Sequence, residues 1–253
     1  MHARRSKRIP TVSVGIVGGI MNEQLWQVIN DDFRNVITTL PVDATFITDP
    51  PYNIKFGYNQ YEDGLHDDEY IDLISELRDK KLAIIHYPEE SMKYFVPALG
   101  VPDEVNVWAY NSNLPGRQSR LINYYNLKPN YNNVLQPFKN PNDKRIKEQI
   151  AKGKTGVRSY DWFSDIQLVK NVSKQKYNHP CPVPVKLMER IIKLTTNEGD
   201  LVVDVFAGSG TTGIACMNTN RRFVGIELDM EYADMANERL AEHGCNLAKL
   251  EEL

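Results

Sequence analysis

Short apolar runs alternate with amphipathic stretches along most of the chain, and the two periods differ. Trp26 to Asn30 (WQVIN), Ala44 to Ile47, Lys81 to Tyr87 (KLAIIHY), Glu104 to Tyr110 (EVNVWAY), Leu201 to Phe206 (LVVDVF) and Phe223 to Ile226 read as strands. Between them, Phe33 to Leu40, Asp67 to Asp79, Val185 to Leu194, Thr211 to Met217 and Met230 to His243 carry apolar residues at helical spacing, as at Val185, Met188, Ile191 and Ile192. Asn111 to Arg120 reads as a loop, and Tyr131 to Lys139 as a further short strand. From Asn140 to Asn178 the periodicity fades, apart from a short helix at Lys144 to Lys152. At 253 residues this suits one large α/β domain with an insertion, or two small domains.

Composition is that of an ordinary globular protein, 42% hydrophobic and 25% charged, with no apolar run of membrane-spanning length. Thr11 to Ile20 is too short and glycine-broken for a secretory segment, so a cytoplasmic protein is expected. Cys181, Cys216 and Cys245 fit neither a disulfide framework nor paired zinc spacing, and read as reduced thiols. Charge changes the picture more. Arg117 to Lys176 holds thirteen Lys and Arg against Asp143, Glu148, Asp161 and Asp165, a net of +9 that leaves −12 for the rest of a chain whose total is −3. That stretch is also interleaved with aromatics, including Tyr131, Tyr160 and Trp162. A solvated lysine-rich insert explains it, and so does a surface for phosphates and bases.

Thr48-Asp49-Pro50-Pro51-Tyr52-Asn53 follows the second apolar run. Two prolines stop a strand, so this motif lies at a strand's carboxyl end, the edge where open α/β sheets bind ligands. A carboxylate, two rigid carbonyls and an aromatic ring there suit a flat polar ring; a proline turn with a solvated aspartate is an equal reading of the motif taken alone. Late in the chain, Asp204, Phe206, Ala207, Gly208, Ser209, Gly210, Thr211 and Thr212 join a strand to a helix through a glycine-rich turn. Gly208 to Gly213 satisfies G-x-G-x-x-G, and Glu227 follows one βαβ step later, where an acid accepts hydrogen bonds from ribose hydroxyls. A dinucleotide enzyme therefore has to be weighed. Asp204 argues against a pyrophosphate and for a cationic cofactor, and a triphosphate loop is excluded because no Gly-Lys-Ser/Thr follows. Asp32, at a strand-to-helix junction, is an N-cap or a ligand to a cofactor, with Asp31 as its substitute.

The two motifs together resemble those of S-adenosylmethionine-dependent DNA amino-methyltransferases, the N6-adenine and N4-cytosine family, in the beta-class order with the Pro-Pro motif first. The resemblance covers about Asp32 to Leu240. It implies a Rossmann-like class I methyltransferase fold, a mostly parallel sheet with helices on both faces. It further implies a catalytic half at 23–139, a short basic recognition insertion at 140–178 and a cofactor-binding half at 179–253; residues 1–22, with an Arg/Lys cluster, read as an N-terminal arm with no assigned role. Asp49, Pro50, Pro51 and Tyr52 would hold the target amine and stack on its base. Asp32 would lie near adenine, Glu227 at ribose, and the turn containing His179 and Pro180 at the methionine end. Val183 replaces the turn's common lysine. Arg117, Arg120, Lys144, Arg145 and Lys147 would contact double-stranded DNA, and Lys55 to Leu65 would form a flap beside the site. His86 has no role in the motif. The implied activity is methylation of adenine N6 in a flipped base, without metal, in a restriction-modification setting and with a homodimer as a further partner. N4-cytosine methylation, an inactive DNA-binding relative, and RNA or protein-glutamine modification are the alternatives.

Overall fold

The structure, a computed structural model, describes residues 26–54, 63–113, 115–169 and 183–251. The expected arm at 1–22, most of the expected flap, and the candidates His179 and Pro180 lie outside those residues. In chain order the first half runs β1 (Trp26–Asn30), α1 (Phe33–Val36), β2 (Thr45–Thr48), α2 (Asp67–Ser75), β3 (Lys81–His86), α3 (Pro88–Glu90), a π-turn (Ser91–Phe95), α4 (Val96–Leu99), β4 (Glu104–Ala109) and β5 (Ser119–Tyr125). The second half runs β6 (Leu135–Gln136), α5 (Lys144–Ala151), β7 (Val157–Arg158), β8 (Trp162–Phe163), α6 (Val185–Thr195), β9 (Leu201–Asp204), α7 (Thr211–Asn218), β10 (Arg222–Glu227) and α8 (Met230–Glu251). None of the described helices is long and apolar enough to cross a membrane, and Cys216 and Cys245 are free thiols.

One sheet organises the molecule, in the order β1-β10-β9-β2-β3-β5-β4-β8. The first five strands are mutually parallel; β5 then runs antiparallel to both β3 and β4, and β8 lies parallel to β4. Strands β2 (TFIT) and β9 (LVVD) are buried at every position, as parallel strands covered on both faces must be. One face packs Ile47, Ala83 and Val202 under α6, α7 and α8. The other packs Phe46, Leu82 and Val203 under α1, α2 and the helical turns at 88–99. That is the expected mostly parallel, two-faced sheet with an antiparallel extension.

The extension departs from the sequence reading. Arg120, assigned to a loop, belongs to β5, the strand between β3 and β4. Ser119, Arg120 and Asn123 break the apolar pattern, yet Arg120 and Asn123 are buried because partners meet them. Asn123, for instance, donates to Ser91 Oγ at 2.5 Å. A polar chain continues alongside: Tyr124 donates to Asn106 at 2.7 Å, and Asn106 donates to the Tyr131 hydroxyl at 2.6 Å. Tyr131 to Lys139 is a 3-10 turn and a two-residue strand, not a full strand. The expected insertion is also less separate than its boundaries imply. Helix α5 buries none of its side chains, but β8 adds to the main sheet, Phe163 enters the core, and Trp108 Nε1 donates to the Ile166 carbonyl at 2.7 Å. At the opposite sheet edge, the Asn237 amide of α8 takes both backbone groups of Val28, each at 2.9 Å.

Gly225 in β10 leaves no room for a side chain. An added Cβ would lie 2.8 Å from Ala207 Cβ and 2.9 Å from both Phe223 and Val28 side-chain atoms. Gly225→Ala should lower the unfolding free energy by about 1–3 kcal/mol through overpacking. Urea denaturation measures this, and an unchanged midpoint would show that the contact yields freely.

Candidate active site

The strand order reverses between β9 and β2, which are neighbours in space although the chain reaches them far apart. At their carboxyl ends Asp204 is buried, and its Oδ1 accepts the Thr48 hydroxyl at 2.6 Å and the Phe206 amide at 3.1 Å. Its Oδ2 accepts the Thr212 hydroxyl at 2.5 Å. Burial pushes this carboxyl above its ordinary range, while the Thr212, Thr48 and Phe206 donors pull it back down. Asp204 thus joins the first motif's strand to the glycine loop and to the start of α7.

The loop is shaped by glycine. Gly208 and Gly210 take φ of 49° and 74°, and Gly210 begins α7 from a left-handed conformation. A Cβ on Gly213 would lie 2.7 Å from Leu240 and 2.8 Å from Phe223, so the helix packs close against β10 and α8. Glu227 is anchored to this loop, accepting the Gly208 amide at 2.8 Å and the Asp229 amide at 3.0 Å. Burial raises its carboxyl, and those two amides oppose the shift. A cleft of about 430 Å³ opens here, within the range of small-molecule sites. Asp31, Asp32, Phe206, Gly208 and Glu227 line it, and so do Asp49 and Pro51, so both motifs share one cavity. A second hollow of about 50 Å³ connects Asp49 with Asp204, Ala207, Ser209, Thr211 and Thr212. Asp229 Oδ2 is buried without a partner at the cleft. Both readings of Asp32 apply: it caps α1 through the Arg34 amide at 3.0 Å, and it lines the cleft. Arg34 Nη2, at 2.5 Å, holds its carboxyl below the usual range.

Asp49 lines both the cleft and the smaller hollow. The Pro51 carbonyl accepts the Tyr70 hydroxyl at 2.6 Å, and Asp63 receives the Asn53 amide at 2.7 Å where Asn53 turns left-handed at φ 54°. The motif is therefore rigid on both sides. Two placements differ from the sequence reading. Tyr52 offers no free ring face: it is 9% exposed, its hydroxyl donates to Asp49, and its ring lies 4.4 Å from that of His86 and 5.0 Å from that of Tyr87. Arg120 is not on a phosphate-facing surface either; it is 6% exposed, and its Nη1 lies 3.7 Å from Asp49 Oδ2. Arg117 is half-buried and paired to Glu90 at 2.9 Å, whereas Lys144, Arg145 and Lys147 stand exposed on α5. His86, set aside in the sequence, is fully buried beneath Tyr52 with neither ring nitrogen hydrogen-bonded. Burial, reinforced by the nearby Arg120 charge, lowers its pKa to about 3 and leaves the imidazole neutral. Its place at the end of β3, on the ligand edge, was the one signal for it. Among the described residues no His, Cys, Asp and Glu cluster is arranged to hold a metal.

Burial pushes Asp49 up to about 6 from 3.8, against the pull of Arg120 and the Tyr52 hydroxyl and with a further push from Asp204. A carboxyl raised in the folded state weakens the fold once it ionises. The penalty grows as pH climbs from 3.8 to about 6, and above that it is fully present. Asp49→Asn should therefore be more stable than the parent by about 2–3 kcal/mol at pH 8, with the gap closing near pH 4. Chemical denaturation across that range checks it; a variant less stable at pH 8 would contradict the charge assignment.

Known proteins resemble this chain in sequence and in fold. The model of the N6/N4 DNA methylase family matches residues 44–238. The Type II methyltransferase M.HpaI of Haemophilus parainfluenzae is 28% identical over 211 residues, which cover 77% of this chain and 67% of that enzyme. The solved M1.HpyAVI–SAM complex superposes with a TM-score of 0.57 at 25% identity, over 85% of this chain and 98% of that one. The cytosine-N4-specific PvuII DNA methyltransferase shares the fold, with a TM-score of 0.59 at 17% identity over 85% of this chain and 90% of that one. The chain belongs to the N6/N4 DNA methylase family, enzymes that methylate exocyclic amines of DNA bases with S-adenosylmethionine as methyl donor.

Proposed function

We propose that this chain methylates the N6 amine of adenine in double-stranded DNA. The observation that carries the reading is Asp49 lining the same cleft as the glycine loop and Glu227. S-adenosylmethionine, when bound, supplies a methyl group on a positively charged sulfur. The residues present fit it: the cleft is of suitable size, Glu227 in the cleft and Asp204 in the hollow beside it are acids that favour a cation, and the unpartnered Asp229 Oδ2 can accept a further hydrogen bond. Glu227 is the acid for ribose hydroxyls, and the Gly208 to Gly210 backbone allows close approach. Catalysis by this chain is then orientation and electrostatics. The Asp49 carboxylate and the Pro50 carbonyl accept hydrogen bonds from the amine's two N–H groups, which turns the nitrogen lone pair out of conjugation and towards the methyl; as the new C–N bond forms the donor's C–S bond would break, leaving neutral S-adenosylhomocysteine, and Asp49 is placed to take the proton that the methylated amine sheds. The base has to leave the duplex to reach them. Its admission requires the Tyr52 hydroxyl to release Asp49 and the ring to turn from His86, after which the ring can stack. The exposed cations of α5 meet phosphates, in the cytoplasm where bacterial relatives act.

N4-cytosine is the second reading, favoured by the family's breadth and by the shared fold of a cytosine-N4-specific enzyme. The choice of adenine rests on Asp49, whose charged carboxylate is a stronger acceptor than the serine usual in cytosine-directed relatives.

Nucleoside mass spectrometry of methylated DNA should recover the methyl label on adenine; label on cytosine alone would overturn the base assignment. Asp49→Ala should reduce turnover on the order of a hundredfold or more while S-adenosylmethionine affinity, read by calorimetry, stays near the parent's. Reversing the charges of Lys144, Arg145 and Lys147 together should weaken DNA binding and flatten its dependence on salt. An unchanged slope would make α5 a solvated surface.

A further inference from the structure

Arg120 is a cation where a cation is costly. Its guanidinium is buried, its Nε has no hydrogen-bond partner, and the carboxylate it faces is 3.7 Å away, an ion pair without a tight fork. Burying such a charge is costly, and an apolar side chain of similar size serves a core better. Aromatic rings compensate in part: the guanidinium carbon lies 5.1 Å from the centre of Tyr52, 5.2 Å from Tyr87, 5.3 Å from Trp108 and 5.9 Å from Tyr110. Expensive placement beside a reacting group points to function rather than to folding.

Among the described residues, three titratable groups act on Asp49. Tyr52 comes from its own loop, Arg120 from β5 and Asp204 from β9. Asp204 and burial oppose a charge on Asp49, while Tyr52 and Arg120 favour one. Of the two favourable partners only Arg120 is fixed, because the Tyr52 hydroxyl must let go when a base enters. His86, neutral beneath Tyr52, adds no compensating charge.

Resting on the reading of Asp49 as the amine's acceptor, we propose that Arg120 is a positioning residue for methyl transfer: it keeps the Asp49 carboxylate charged after Tyr52 releases it, and braces the Tyr52 ring. Arg120 touches neither substrate nor cofactor; it acts through these two side chains.

The test follows Asp49 directly. Carboxyl-¹³C aspartate NMR of the ligand-free protein gives its titration midpoint, with Asp49→Asn identifying the resonance. Arg120→Met should raise that midpoint by about one to three pH units, the usual effect of losing an adjacent opposite charge, and Arg120→Lys should restore most of the shift. An unmoved midpoint in Arg120→Met overturns the proposal. If Arg120→Met does not fold, Arg120→Gln, which keeps bulk and polarity without charge, is read in its place by the same criterion. In single-turnover methyl transfer at saturating DNA and S-adenosylmethionine, the acid limb of the pH profile should shift upward with the midpoint, so that most of the loss at pH 7 is regained at pH 9. A profile lowered uniformly with its limb unmoved means structural support only and also overturns it. The NMR arm needs no turnover. A parent protein that transfers no methyl to DNA therefore refutes the proposed function, while the midpoint still decides whether Arg120 controls Asp49.

Discussion

The buried carboxylate of Asp204 is the constraint on which the site depends. Its two oxygens take a hydroxyl from the end of β2, a hydroxyl from the first turn of α7 and an amide from the glycine loop. Because a buried carboxylate left short of donors is expensive, these three segments hold their relative places to within hydrogen-bond tolerance. The Asp49 motif and the glycine loop are distant in sequence, and neither forms a cavity alone. Asp204 sets their register at the point where the strand order reverses, which is where an open α/β sheet leaves a crevice.

Around that clamp the site concentrates negative charge away from water. Burial raises the carboxyls of Asp49, Asp204 and Glu227 alike, so the ligand-free cleft stores unfavourable free energy that a cationic ligand relieves. Glu227 and Asp204 offset part of it with loop amides and hydroxyls, which also stiffens the loop. Asp49 has fewer partners, and one of them is the Tyr52 hydroxyl. Perturbed acids gathered in one place in this way are a common mark of a functional site.

How much of this was legible depended on where polarity was local. The parallel strands announced themselves because LVVD and TFIT are buried on both faces and read as continuous apolar runs. Asp32 read correctly as a cap because capping is decided within a few residues. Strand β5 did not, because Arg120 and Asn123 look like surface residues until Asp49 and Ser91, distant in sequence, are placed against them. The same long-range pairing misassigned Arg120 to DNA, since a count of basic residues cannot tell an outward charge from an inward one. His86 is missed for the converse reason: a histidine ending an apolar strand has no local mark of lying beneath the Tyr52 ring. Residues 88–99 gave no periodic signal, because Pro97 and the π-turn interrupt the 3.6-residue repeat.

The outermost parallel strand carries a last consequence. A terminal strand normally offers a row of open amides and carbonyls on which another polypeptide can template itself. In β1 the side chain of Asn237 occupies both groups of Val28 from the flank, standing in for the strand that would otherwise sit there. A second chain seeking to extend the sheet past β1 would first have to break both of those hydrogen bonds. Among the described residues, a strand added at Val28 would have to compete with the Asn237 side chain for the same two groups.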